Sequence, residues 1–447
     1  MTPGARDFWF LPLGGTGEIG MNLNLYGHDG QWLMIDCGVS FDEPLSEGGA
    51  TQHRVCADPT FIEDRKEALA GIVITHAHED HIGALPDLWT RFPAPVYTTA
   101  FTAEILRRKL AREGLAQVAE IIEVDLDQRV SIGVFSLRWL STTHSIPEPS
   151  SILIETTVGK VLHTGDWKID TQPVLGKGFD ASVFQSLACE TIDAMVCDST
   201  NALKPGHSVS ESDCHRGLYQ WISEAKGRVV VSCFASNIAR LVTLARIAQA
   251  SGRYLCLLGY SLENMYAAAR AKGIWPIEQA LCSPEHAGYL PPEEILFVST
   301  GSQGEPRSAL ARLANKQHRS VELDAGDLVI FSAMEIPGNE DAIARLVGKL
   351  EAQSIRVVRR KDSALAIHAS GHPNQDELKA LYDWVQPRVA IPVHGEPEHI
   401  DAHALLAKRQ GVQSQLRGKN GDLYLIAPHI GIRRNAVNAA RIALSTR

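Results

Sequence analysis

The segment His76-Ala77-His78-Glu79-Asp80-His81 places three imidazoles and two carboxylates within six positions, directly after the apolar run Gly71–Thr75. A loop leaving a strand end aims alternate imidazoles at one point. It then turns a carboxylate and a third imidazole toward a neighbouring point. Neutral imidazole and carboxylate are ligands that divalent Zn or Mn accepts. The spacing is not that of an H-E-x-x-H helix, because His78 and His81 lie three apart rather than four. More ligands wait at strand ends downstream. His144 follows Ser136–Leu140, Asp166 follows Lys160–His163, and His394 follows Arg388–Val393, each in a loop flanked by glycine or proline or by hydroxyl residues.

Two further segments suit an anion. In His368-Ala369-Ser370-Gly371-His372 a hydroxyl, imidazoles and a glycine-exposed amide share one turn. Phe234-Ala235-Ser236-Asn237 ends a strand and opens a helix, where free N–H groups attract phosphate; a plain helix cap at Ser236-Asn237 explains the same residues equally well. Gly15-Thr16-Gly17-Glu18-Ile19-Gly20 matches a dinucleotide fingerprint, but Met21–Tyr26 alternates with period two. A strand follows where the fingerprint needs a helix, so the glycines are expected to make a tight turn.

The elements that must position these residues change rhythm along the chain. Asp7–Leu13, Met21–Tyr26 and Gln31–Asp36 read as an antiparallel meander, and Ser151–Thr156 with Lys160–His163 as a hairpin. From about residue 206, strand-like runs (Arg228–Ser232, Tyr254–Leu258, Ile295–Ser299, Leu328–Ser332, Arg356–Arg359) alternate with helical ones. The helices are expected at Asn237–Ala250, Ser261–Ala271, Pro306–Asn315 and Asn339–Ala352, the pattern of a parallel α/β sheet. Helix Asp376–Gln386, strand Arg388–Val393, helix Glu398–Gln410 and strand Asp422–Ile426 close the chain. Chemistry at both ends, with a different rhythm between, implies one catalytic domain (1–205 and 361–447) interrupted by an inserted domain (206–360).

The chain has 447 residues, with 43 basic and 52 acidic side chains and a net charge of −9, which excludes a uniformly basic nucleic-acid binder but not a local basic cleft. Residues 206–360 carry 17 basic and 16 acidic residues, so the acidity belongs to the remainder. If a polyanionic strand meets this part of the chain, Arg240, Arg246 and Arg307 are the candidate contacts. No run of apolar residues is long enough for a membrane span, and no leader sequence is recognisable. The eight cysteines are scattered without a C-x-x-C pair and read as reduced core thiols of a cytoplasmic protein.

The H-x-H-x-D-H box resembles that of the metallo-β-lactamase superfamily. Leu13–Gly20, Cys197-Asp198-Ser199-Thr200-Asn201, Thr300–Pro306 and His368–His372 are similar, in order, to motifs of the ribonuclease J family of β-CASP nucleases. The resemblance covers about residues 7–428. It implies an α/β fold, a metallo-β-lactamase αββα sandwich with an inserted β-CASP α/β domain. It also implies a two-metal site, with Zn expected before Mn. His76, His78 and His144 would hold one ion; Asp80, His81 and His394 the other; Asp166 would bridge them and Asp36 would orient the site from behind. His368 would be a general acid oriented by Asp198, with Asp80 also in the catalytic set. Ser236, Asn237, His368, Ser370, Gly371 and His372 would take an RNA 5′-monophosphate. The implied activity is a metal-dependent ribonuclease, 5′→3′ exonucleolytic with endonuclease action where a strand threads through. The implied partners are single-stranded RNA, with single-stranded DNA as a second substrate, and a second copy in a homodimer. The chain is expected to lack the small C-terminal domain usual in the family. The run Asp42–Asp58 departs from the family pattern and is expected to alter one wall of the cleft. No chemical role follows for Thr300–Pro306.

Three other readings compete. A β-CASP DNA nuclease would tend to carry a non-histidine residue in place of His394. A small-molecule hydrolase needs neither a large α/β insertion nor the His368–His372 turn. A non-enzymatic partner subunit would show degenerate ligands, whereas every ligand position here is filled.

Overall fold

Alternation builds two central sheets. In Phe135–Ser141, Leu137 and Trp139 are wholly buried; in the paired strand Ser150–Thr156, Ile152 and Ile154 face the same way while Leu153 faces the opposite layer. The computed structural model describes residues 1–42, 53–278, 280–336 and 338–444. Phe8–Gly14, Leu23–His28 and Gln31–Ile35 form the expected antiparallel meander. Leu69–Val73, Val96–Thr98 and Ile121–Glu123 extend that sheet in parallel, and Leu423–Ala427 and Gly431–Arg433 complete its other edge, eight strands in all. The second sheet has seven strands, with the hairpin Ser150–Thr156/Gly159–His163 at its centre.

The facing sides of the two sheets share one core, with Phe10, Tyr26 and Val73 from one and Leu137, Trp139 and Ile391 from the other. Helices cover both outer faces. Ala100–Arg112 lies against the first sheet, while Ala181–Ser186, Gln375–Val385 and Pro397–Arg409 lie against the second. The result is an αββα sandwich.

Inside the sandwich, parallel pairing sets the site. Gln31–Ile35 pairs with Leu69–Val73, so Asp36 and the His76 loop leave neighbouring strand ends. Ala194–Asp198 pairs with Val389–Val393, so Asp198 and His394 emerge side by side. Both latter strands are buried along their whole length, which their continuous apolar sequences allow. Asp36 and His394 have φ of 65° and 52°. Such left-handed geometry costs about 1–3 kcal/mol per residue, and here it turns the chain at each strand end beside the site.

Between the sandwich halves lies a five-stranded, wholly parallel sheet in the order Tyr254–Leu258, Ile295–Ser299, Val229–Ser232, Leu328–Phe331, Arg356–Val358. Cys214–Glu224, Ile238–Ala250 and Tyr260–Ala271 cover one face; Ala309–Ala314 and Glu340–Glu351 cover the other.

Several sequence expectations need adjustment. The helix expected over Pro306–Asn315 is shorter, because the Ser308 hydroxyl accepts from Ala311 N–H at 3.2 Å and caps it there. The strand at Leu423–Ala427 does not close the chain. Gly431–Arg433 pairs beside it, and Arg441–Ala443 pairs with His53–Ala57 in a small sheet that also holds Ser40–Asp42. Three-residue strands are too short for their alternation to be read. Most of Asp42–Asp58, residues 43–52, lies outside the described residues. The cysteines form no disulfide, but Cys189 is exposed and Cys282 half-buried rather than core.

Candidate metal centre

At the strand ends, His76 Nε2 and His144 Nε2 each stand 3.0 Å from His78 Nδ1. Asp166 Oδ2 lies 3.9 Å from both Nε2 atoms. A tetrahedral ion with donors about 2.0–2.1 Å away has donor–donor edges of about 3.3–3.4 Å, so these four atoms fit around one ion. Burial, and then the neighbouring imidazoles, hold His76 and His144 well below the usual histidine range. Burial lowers His78 to about 4. All three are neutral, the form that binds a metal.

A second quartet adjoins the first. Asp80 Oδ2 lies 3.2 Å from His394 Nε2 and 3.5 Å from His81 Nε2, which is 3.2 Å from the same Asp166 Oδ2. Asp166 is therefore common to both groups. Here burial opposes the charged imidazoles, yet Asp166 and Asp80 outweigh it and raise His81 and His394. A pocket holding this much carboxylate charge suits divalent cations.

The ligands are oriented from behind. His81 Nδ1–H donates to Asp36 Oδ2 at 2.7 Å, leaving Nε2 for an ion, and Asp36 is fully buried where Thr75 N–H and Oγ1–H also donate to it. His394 Nδ1–H donates to Thr200 Oγ1 at 3.0 Å. His144 Nδ1–H donates to the Gly371 carbonyl at 2.5 Å, which ties the His368–His372 turn to the first quartet. The glycine loop 15–20 forms no helix, and its Gly15 carbonyl accepts from His394 N–H at 2.6 Å. Thr75, Thr200 and Asn22, whose amide lies 3.1 Å from His81 Nε2, are site residues that their sequence positions did not reveal.

The Asp198 expectation is corrected by its geometry. Asp198 does not orient His368. Its Oδ2 accepts from His372 Nδ1–H at 2.8 Å, while Thr200 N–H and Oγ1–H hold Oδ1 at 2.8 and 2.7 Å. His372 Nδ1 is also 3.9 Å from Asp166 Oδ2. Burial opposes protonation of His372, but Asp198 and then Asp166 raise it above the ordinary histidine value. His368 is the opposite case. Burial, then the Arg240 and Arg360 cations, press it down to about 3, and its buried Nδ1 has no hydrogen-bond partner among the described residues.

Of the expected phosphate residues, Ser370 and His372 are joined through Asn201, whose amide donates to Ser370 Oγ at 2.9 Å and to the His372 carbonyl at 3.1 Å. Asn237 is committed elsewhere: its side chain accepts from Arg240 N–H at 2.9 Å and caps the following helix. Ser236 is half-buried on the preceding turn. Arg240 cannot meet a strand. It is wholly buried, bound to Glu211 at 2.6 and 3.0 Å and to the Ser332 and Ile367 carbonyls at 3.0 and 3.1 Å. Arg246 and Arg307 are exposed.

Sandwich, inserted parallel sheet and paired quartets define a metal-dependent hydrolase of the metallo-β-lactamase type carrying a β-CASP domain. Comparison with known families agrees segment by segment. Residues 20–172 match the metallo-β-lactamase superfamily, 226–350 the ribonuclease J β-CASP domain, and 361–416 a Zn-dependent metallo-hydrolase RNA specificity domain. The chain is 43% identical to ribonuclease J of Sinorhizobium meliloti over 427 residues, 95% of this chain and 75% of that one. It is 38% identical to ribonuclease J of Mycolicibacterium smegmatis (90% and 71% covered) and 34% to that of Thermus thermophilus (93% and 73%). The chain belongs to the ribonuclease J family. A crystal structure of a protein of unknown function from Enterococcus faecalis V583 shares the fold at TM-score 0.63 and 15% identity, covering 94% of this chain and 100% of that one.

Proposed function

We propose that the centre holds two divalent ions, Zn before Mn, and hydrolyses phosphodiester bonds of single-stranded RNA. The reading rests chiefly on one observation: the Asp198–His372 pair stands at the edge of the two quartets, where a scissile phosphate would lie. Bound there, the ions would supply Lewis acidity that neutralises charge on the reacting phosphoryl group. His372, with Nδ1 held by Asp198, presents Nε2 as the proton donor to the leaving oxygen. Asp198 is its positioning residue and favours its protonated form.

Ser370, Gly371 and Ser236 would receive a 5′-terminal phosphate, which favours 5′→3′ exonuclease action; a strand threading past the same groups would be cut internally. The RNA specificity match over 361–416 and the ribonuclease J relatives favour RNA over DNA. We assign the protein to the cytoplasm and to a homodimer on the family resemblance, and sedimentation tests the latter. No helix among the described residues is long and apolar enough to cross a membrane.

The test uses matched RNA and DNA strands bearing 5′-monophosphate, 5′-triphosphate or 5′-hydroxyl, with Mn²⁺ or Zn²⁺. Mononucleotides should be released from 5′-monophosphorylated RNA. Asp80→Ala and His372→Ala should each abolish the release, the latter by about 10²–10⁴-fold, and His368→Ala should cost less than His372→Ala. DNA digestion at an equal or faster rate would overturn the RNA preference. Intact polymers of both kinds would overturn the nuclease reading.

A further inference from the structure

Arg240 is buried and offers no charge to an incoming strand. A crevice of about 380 Å³ opens at the carboxyl ends of the inserted sheet, beyond Leu328–Phe331 and Arg356–Val358. Its walls include Ser302, Met334, Arg359, Arg360 and Lys361. The carboxyl ends of parallel strands are where open α/β sheets bind ligands.

Arg359, Arg360 and Lys361, with Lys204 behind Met334, gather here beside the carboxylates of Glu335, Asp362 and Glu305, the last of which is engaged by Gln303 N–H at 2.9 Å. Arg360 and Lys361 are exposed and form no ion pair among the described residues. Arg359 meets Glu335 only at 3.9 Å, and Asp362 is engaged by the Arg359 backbone N–H at 2.8 Å. Lys204 lies behind Met334. Its ammonium donates to Asn201 Oδ1 at 2.7 Å and touches Met334 Sδ at 3.3 Å, neither of them an anion. Burial, and then the nearby Arg360, lower the Lys204 pKa, and neither cation forms an ion pair among the described residues. Such a cluster is stabilised by an incoming anion.

The crevice is wired to the hydrolytic centre. Asn201, which holds Lys204, also holds Ser370 and the His372 carbonyl. The Thr300–Pro306 loop, for which the sequence offered no chemistry, builds the other wall. Gln303 donates to the Met334 carbonyl at 2.9 Å and accepts from Ile336 N–H at 2.9 Å, fixing the segment that carries Met334 and Glu335.

The geometry points to this crevice as a second phosphate subsite, which holds a backbone phosphodiester of the same single strand whose reacting phosphate lies at the metal centre. Lys204, Arg360 and Lys361 supply its charge, and the Thr300–Pro306 loop shapes it. The inference rests on the reading of the centre as one that acts on a nucleic-acid strand.

Binding tests it without turnover. Fluorescence anisotropy of a 3′-labelled single-stranded RNA is followed on the whole chain in EDTA across a range of salt concentrations. Arg360→Ala/Lys361→Ala should weaken binding about tenfold and reduce the slope of log K against log salt by about 1.4, two contacts at about 0.7 each. Lys408→Ala/Arg409→Ala, the same change of charge on an exposed helix end, should leave both unchanged. A thermal melt of each variant confirms the fold. An unchanged slope in Arg360→Ala/Lys361→Ala, or an equal loss in Lys408→Ala/Arg409→Ala, would overturn the subsite. If the slope falls as expected but the metal-loaded protein cuts no RNA, the subsite stands and the ribonuclease reading falls. If RNA is cut and the slope is unchanged, the reverse holds. A wild-type protein that binds no strand overturns both.

Discussion

Gly371 shows how tightly single residues constrain the centre. A Cβ built there would lie 2.4 Å from His144 Cε1 and 2.5 Å from Nδ1. The His144 ring cannot retreat, because its Nε2 belongs to the first quartet. Gly371→Ala should therefore displace His144, lower metal content at that site and reduce cleavage by about 10–100-fold, in the range seen when a ligand loses its support. Metal analysis after dialysis, alongside cleavage rates, checks both effects; full metal content with full activity would show that the turn can yield. The clustering of the imidazoles was readable at this scale, because alternate histidines after an apolar strand aim at one point. The partner of Asp198 was not. His368 and His372 are four apart on one turn, and only the backbone path through Ser370-Gly371 decides which imidazole reaches the carboxylate. Arg240 was misread for a related reason. A charged residue in a helix looks solvent-facing until its counter-charge is known, and Glu211 is 29 residues away.

At the scale of elements, the long apolar strands were legible and bring the candidate ligands together at their ends, while strands of only three residues were invisible. Two buried histidines on or beside these elements make the sandwich sensitive to acid. His163, bound to Tyr26 at 2.9 Å, and His403, between Ser199 and Tyr382 at 2.8 Å each, are both pressed by burial to about 4. In the unfolded chain a histidine titrates near 6.5. Between pH 6.5 and 4 the unfolded form takes up protons that the folded form refuses, so stability falls as the pH falls; below about 4 both forms are charged and the loss levels off. Urea midpoints measured from pH 7 to 4 in EDTA should fall less steeply for His403→Gln than for the wild type. Parallel curves would show that His403 does not contribute.

The whole molecule is held together at a junction. Arg240 lies on the first long helix of the insert after its opening strand. Through Glu211, whose N–H donates to Asp170 Oδ2 at 3.1 Å, it reaches the outgoing crossing from the sandwich. Through the Ile367 carbonyl it reaches the returning one. Removing one partner leaves a charge buried without its counter-charge, so Arg240→Met should lower unfolding stability by about 3–5 kcal/mol. Arg240→Met/Glu211→Leu should recover part of that loss. A denaturant series on the three proteins gives the answer, and a single substitution within 1 kcal/mol of wild type on the usual scale of surface pairs would remove the junction from the account. That a second domain interrupts the sandwich was legible from the change of rhythm along the chain, but this clasp depends on three segments far apart in sequence.

The second quartet joins Asp80 to His394 across 314 positions. A ribosome adds about 5–20 residues per second, so the first quartet is synthesised well before the second is complete. While the insert is being made, the growing chain lacks His372 and His394 together. On the two-ion reading it is a nuclease that stays silent toward the message from which it is being translated. A stalled chain ending before residue 367 should leave added RNA whole, whereas one extended until residue 444 has cleared the ribosome should cut it; cleavage by the shorter chain would contradict this order of assembly.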